Sequence, residues 1–194
     1  MGPPDPARIR VFAEPGDWDA WLAQNHATET ELWIRHFKKA TGIPSINWEQ
    51  AVIGALAWGW IDGVRRALDD QSYLQRFTPR RPKSPWSMKN RTHGDRLIAE
   101  GNMHPAGLAQ VQAAKADGRW DAAYAGSKDA EVPQDFIDAL TAGPETARAV
   151  YSTLNAQNRF AIYYRLTTAK RPETRAKRIT DFVAMLARGE KFYP

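Results

Sequence analysis

The chain reads as an α+β fold, a small antiparallel sheet with packed helices followed by a mainly helical C-terminal half. Three observations predict it. Residues 60–68 and 72–78 are two β-type runs separated by Asp69 and Asp70, the pattern of a hairpin. Residues 31–39 (ELWIRHFKK) loosely alternate apolar and polar side chains and supply a third strand. From residue 84 onward apolar residues recur at helical spacing.

Taken in order, residues 1–16 read as a flexible leader rich in proline. Asp17 is the expected N-cap of a short helix carrying Trp18, Trp21 and Leu22 at i, i+3, i+4. Gly42 and Pro44 break the strand that follows. Asn47 with Gln50 three residues on is a capping box, and Gly59 ends that helix. In the hairpin, alternation puts Trp60, Asp62, Val64, Arg66 and Leu68 on one face. On the return, Tyr73, Gln75 and Phe77 share a face and Leu74, Arg76 and Thr78 the other. Gly63 marks a bulge or a close backbone approach.

The helical half has equally local punctuation. Ser84 is the expected cap of a helix with Pro85 at its first position and Gly101 as its stop. Pro105 opens another that Gly118 ends. Phe136, Ile137 and Leu140 mark a short helix closed by Gly143, and Pro144 starts the next. Asn158 is expected to cap a helix carrying Tyr163 and Tyr164; Pro172 opens the last, with Ile179, Phe182, Val183 and Leu186 as its apolar stripe. The weakest join lies near residues 125–133. The expected organisation is therefore an α+β part over 17–125 and a helical part over 126–190, packed on the same core.

Composition narrows the function. With 194 residues, 43% hydrophobic content and eight tryptophans, the chain folds rather than staying disordered. No apolar run approaches the roughly 20 residues that span a bilayer, and the N-terminus lacks an apolar secretory region. There is no cysteine, which excludes disulfides, thiolate metal sites and a cysteine nucleophile and suits a reducing cytoplasm. His26, His36, His93 and His104 make no H-x-x-x-H or H-E-x-x-H spacing, so no metal is expected. Walker A, G-x-G-x-x-G and G-x-S-x-G patterns are missing as well; no cofactor is expected and no reaction is specified. Nothing in the sequence sets an oligomeric state.

The net charge of +5 is uneven: residues 76–96 hold seven Lys/Arg against Asp95 alone, and residues 159–191 hold nine against Glu173, Asp181 and Glu190. Basic segments on an otherwise acidic body point to anionic partners. The first segment adjoins tryptophans. Trp60, Asp62, Arg76, Arg80, Ser84, Trp86 and Ser87 form the candidate site for a small anionic or aromatic ligand, with Arg76 and Arg80 holding the anion, the serines donating hydroxyls and the indoles as walls. For Asp62 the preferred reading is an ion pair with Arg66, Arg76 or Arg80; the alternative is a general base in an enzyme that uses the same arginines. Tyr164, Lys170, Arg171, Arg175 and Arg178 are the candidates for a nucleic-acid surface, against the simpler reading of a solvated helix face.

Five stretches carry a resemblance: LWIRHFKK, ALAWGWIDG, YLQRFTPRRPKSPWSMKN, RLIAEGNMHPAGLAQVQAAKADGRWDAAY and NRFAIYYRLTTAKRPETRAKRITDFVAMLARGE. Spread over residues 31–190, they resemble the YdeI/OmpD-associated family, also labelled bacteriocin-protection proteins (OmdA-like). The resemblance implies a role in protection against antimicrobial peptides or association with an outer-membrane porin. It implies no reaction. Antimicrobial peptides are mostly cationic, so a chain of net charge +5 suits them as a direct ligand only where its acidic surface makes the contact.

Overall fold

The computed structural model describes residues 2–194 and divides into two compact units, the first ending at Ala122 and the second beginning at Ala123. Together they make the expected α+β fold. The first unit contains one sheet, from β1 (Ile9–Arg10), β2 (Leu32–Phe37), β3 (Trp60–Ala67) and β4 (Ser72–Pro79), in the order β1-β2-β4-β3. The β2–β4 and β3–β4 pairings are antiparallel as expected, but β1 adds a fourth, parallel strand through Ile9–Trp33 and Arg10–Ile34. Within the expected leader, Pro6–Arg8 form a 3-10 turn that the Asp5 side chain caps, directly before β1. Phe12 is buried 5.1 Å from the Trp18 ring, and its carbonyl accepts the Ile46 N–H at 2.9 Å. Two residues are too few for a strand pattern to show in sequence.

Helices α1 (Pro15–Asn25) and α2 (Trp48–Ala57) cover one sheet face. Trp18 meets Trp60 edge-on at 6.4 Å and Phe77 at 5.7 Å, and its indole donates to the Ala51 carbonyl at 3.0 Å. Leu22, Leu32, Ile34, Val52 and Leu56 complete this core, each at most 3% exposed. The α2 capping box forms as read: Asn47 Oδ1 accepts from the Gln50 N–H at 2.9 Å and Gln50 Oε1 from the Asn47 N–H at 2.8 Å. In α1 the cap is Glu14, not Asp17. Pro15 starts the helix early, and Asp17 accepts the Glu14 N–H at 3.3 Å from inside the first turn.

Helices α3 (Met88–Ala99) and α4 (Pro105–Ala116) complete the first unit. The α3 cap is Ser87, which accepts the Asn90 N–H at 3.1 Å, not Ser84. Trp86 is buried while Pro85 stays exposed, and the helix begins only after Ser87.

The second unit holds α5 (Gln134–Ala142), α6 (Glu145–Ser152), α7 (Ala156–Thr167) and α8 (Pro172–Ala187). Its buried residues Phe136, Leu140, Ala147, Leu154, Ile162, Leu166, Phe182 and Leu186 form one apolar cluster. Asn155, not Asn158, caps α7. Asn158 is buried, and its Oδ1 accepts from the Phe192 and Tyr193 N–H groups, each at 3.1 Å, tying down the C-terminus. Among the described residues no helix is long and apolar enough to cross a membrane.

Candidate functional site

The site grows out of a bulge in β3. Asp62 pairs with Phe77 and Arg65 with Gln75, so Gly63 and Val64 together oppose Arg76. The extra residue rephases the strand. Asp62 shares a face with Arg65 rather than Arg66, which lies on the other face with its guanidinium 5.5 Å from the Trp33 ring. Gly63 thus does mark a bulge, and its carbonyl accepts the buried Gln75 amide at 2.8 Å.

Asp62 points toward the start of α2, where the Trp48 indole N–H donates to its Oδ2 at 3.1 Å. Burial pushes the Asp62 carboxyl above its ordinary value. The Trp48 hydrogen bond, one from its own backbone N–H and the Arg80 charge oppose that shift without cancelling it. Next to Trp48, Glu49 pairs with Lys89 of α3 at 2.9 Å, and Lys89 Nζ lies 4.8 Å from the Trp48 ring. His93, one turn further along α3, places Nε2 3.4 Å from Glu49 Oε1 without hydrogen-bond geometry. Burial lowers the His93 pKa; the Glu49 charge opposes this and the Lys89 and Arg96 charges reinforce it. Asp62 and His93 thus both adjoin the first turn of α2, through Trp48 and Glu49, and burial shifts each toward its neutral form, the carboxyl up and the imidazole down.

Arg80 follows β4. It is 5% exposed, its guanidinium carbon sits 3.7 Å from the Trp86 ring centre, and Nη1 donates to the Pro85 carbonyl at 3.3 Å. Trp86 is 1% exposed and packs on Trp120 at 4.8 Å. Its indole N–H is buried with no hydrogen-bond partner among the described residues, an uncommon state. Between Arg80 and Trp86 the chain turns on Pro82. The Ser84 N–H donates to the Arg81 carbonyl at 3.1 Å, and Lys83 takes a φ of 68°. That is the type II pattern, whose left-handed position favours glycine. Arg81 and Lys83 are exposed and have no ion pair among the described residues.

Asp62, Arg80 and Trp86 therefore come together, but the four other expected members do not join as expected. Trp60 is core, 1% exposed, with its indole donating to the His26 carbonyl at 3.0 Å. Arg76 lies on the opposite sheet face, where it pairs with Glu31, its Nε 2.7 Å from Oε2. Ser84 is held through its backbone, its carbonyl accepting from Arg119 at 2.9 Å. Ser87 serves the helix cap. Sequence reasoning missed Trp48, Glu49 and Lys89. The spacing of Lys89 and His93, four apart on α3, could have shown that they share a face. Their partner Glu49 depends on how the helices pack.

In the second unit the proposed nucleic-acid residues are largely committed to the fold. Arg175 makes a two-pronged pair with Asp135 at 2.9 and 2.7 Å and donates to the Leu166 carbonyl at 2.9 Å. Arg178 donates to the Arg165 carbonyl, and Tyr164 packs edge-on against Tyr124 at 4.9 Å. Only Lys170 and Arg171 of this group stay exposed at the start of α8. Among the described residues no cluster of His, Asp or Glu is suited to hold a metal ion.

Comparison with known families divides the chain near the same place as its fold. Residues 10–110 match the model described as Domain of unknown function (DUF8412). Residues 129–189 match the one described as Bacteriocin-protection, YdeI or OmpD-Associated (OmdA). The second match covers the helical unit alone, so the hairpin and basic loop fall under the first. No curated protein and no solved structure matches the chain.

Proposed function

From the premise that this chain belongs to the DUF8412 family and carries an OmdA domain at its C-terminal end, we propose that it is a binding protein whose first unit takes up a small anionic or aromatic ligand at the loop of residues 80–87. The observation that carries this reading is the Pro82 turn. It exposes Arg81 and Lys83 with no acidic partner among the described residues and holds Lys83, a non-glycine, at a φ of 68°. Such strain persists where the surrounding structure imposes it, which is often at ligand sites. Arg80 and Trp86 are the buried footing of the loop, and Arg81 and Lys83 are the charges a ligand reaches. Sequestering a harmful compound there would give the protection that the OmdA description names.

The test is a thermal-shift screen against phosphates, nucleotides, carboxylates, aromatic antibiotics and peptides, repeated on Arg81→Ala/Lys83→Ala. A ligand of the native state raises the melting temperature in a concentration-dependent way. A rise with one anionic or aromatic class that is lost in the double variant supports the reading. A rise unchanged by the variant, or no rise with any class, defeats it.

A second reading rests on Asp62. A half-buried carboxyl pushed above its ordinary value, bonded to Trp48 and near the Arg80 charge, has the character of a general base. In an enzyme, Asp62→Asn would keep ligand affinity and lose turnover; unchanged turnover would remove Asp62 from the chemistry.

A further inference from the structure

A second concave site lies away from the basic loop, between α1, α2 and the C-terminal end of α3, and its chemistry has the opposite sign. The groove encloses about 530 Å³, within the range of small-molecule pockets. Ile53, Ala57 and Leu97 supply an apolar wall; Asp19, Asn102 and His104 gather at its polar end. Among the residues lining it, Asp19 alone carries a formal charge. We propose that this groove binds small organic ammonium ions, with the charged nitrogen at Asp19 and His104 and a short apolar body against Ile53 and Leu97.

The polar end is built before any ligand arrives. The Trp58 indole donates to Asp19 Oδ1 at 2.7 Å and orients the carboxylate. The His104 ring lies almost parallel to Trp58, with centroids 3.7 Å apart and planes at 19°. Its backbone N–H donates to the Ala57 carbonyl at 3.1 Å. Beyond it, Gly107 allows α4 to press against α2; a β-carbon there would stand 2.6 Å from the Leu56 carbonyl oxygen. These contacts preorganise both acceptors.

Cation recognition follows from what the acceptors lack. His104 Nε2 lies 3.6 Å from Asp19 Oδ1, too far for a hydrogen bond, yet one ammonium nitrogen can reach both. With its proton on Nδ1, the neutral imidazole offers Nε2 as an acceptor. Both side chains are reachable, 37% exposed for His104 and 52% for Asp19. The groove also receives the carbonyl end of α3 at Gly101, where the helix dipole favours positive charge. A carboxylate ligand of the same shape meets repulsion instead.

The probes are hexylammonium and hexanoate, matched in length and opposite in charge. The readout is the Trp58 indole N–H resonance, identified by its loss in Trp58→Phe. Hexylammonium is expected to shift that resonance saturably, with hexanoate weaker by about tenfold, since reversing a charge beside a partly exposed carboxylate turns one modest attraction into a similar repulsion. Asp19→Asn keeps an acceptor for Trp58, so its melting temperature should stay near the parent value, while the affinities of the two probes should come within about twofold of each other. Ile53→Trp, which fills the apolar wall, should abolish the hexylammonium shift. The proposal is overturned if the parent protein shows no saturable shift, if hexanoate binds as well as hexylammonium, if Asp19→Asn keeps the preference, or if Ile53→Trp leaves binding intact.

Discussion

Arg80 is the residue on which ligand binding and folding are most easily confused, and Arg80→Ala separates them. The side chain is 5% exposed, so its methylenes are packed and its charge is out of water. Stacking on Trp86 at 3.7 Å is a desolvated cation–π contact worth about 2 kcal/mol. The bond to the Pro85 carbonyl, long at 3.3 Å, adds about 0.5–1 kcal/mol. The two buried methylenes that truncation removes add about 1.5 kcal/mol. Desolvation of the guanidinium offsets part of this sum, and the net loss on truncation should be about 2–4 kcal/mol. For a chain of this size that lowers the melting temperature by roughly 5–12 °C. Arg80→Met, which keeps the volume against Trp86, should lose about half as much. Arg81→Ala, one residue on and exposed, should stay within about 0.5 kcal/mol of the parent. Thermal melting followed by circular dichroism reads all three. If Arg80→Ala melts within about 2 °C of the parent, the guanidinium does not hold the loop and the stacking argument fails.

Other perturbations test individual groups. Asp62→Asn retains an acceptor for Trp48 and removes a charge that burial opposes. Because the folded carboxyl titrates above its unfolded value of 3.8, its stabilising share is present below that value and lost as pH rises through the folded pKa. At neutral pH the variant should therefore unfold at higher denaturant; a lower midpoint would indicate a net stabilising ion pair. For His36, burial lowers the pKa below 6.5 despite the bond from Nδ1 to the Ile46 carbonyl, and the Arg65 charge lowers it further. Stability should be intact above about pH 6.5 and fall as pH drops toward the folded-state value, and denaturant midpoints of His36→Gln should show a shallower acid limb. A parent midpoint that is flat from neutral to mildly acidic pH contradicts this. Lys83→Gly relieves about 1–2 kcal/mol of left-handed strain against about 0.5–1 kcal/mol of lost chain entropy, so its melting temperature should hold or rise slightly. A clear drop would show that the Lys83 side chain itself supports the turn.

Local chemistry explains what was legible in advance. The Asn47–Gln50 box, the stops at Gly59 and Gly101 and the turn at Asp69–Asp70 each need only neighbours within a few residues. The anticipated bulge at Gly63 was equally local, though its consequence was not: one extra residue reverses which arginine shares a face with Asp62. The cap of α3 is Ser87, beyond the buried Trp86, rather than Ser84, and both serines satisfy the local rule for a cap.

The sequence by itself determined the α+β class, the hairpin, most helix ends and the crowding of cations beside tryptophans, because these depend on spacing along the chain. Only the tertiary structure decided which of those charges are paired or buried. Arg76 finds Glu31 on a neighbouring strand, Arg80 lies buried on Trp86, and Glu49 meets Lys89 and His93 across two helices. Partners far apart in sequence are chosen by packing, and the energy of a charge depends on its surroundings more than on its place in the chain.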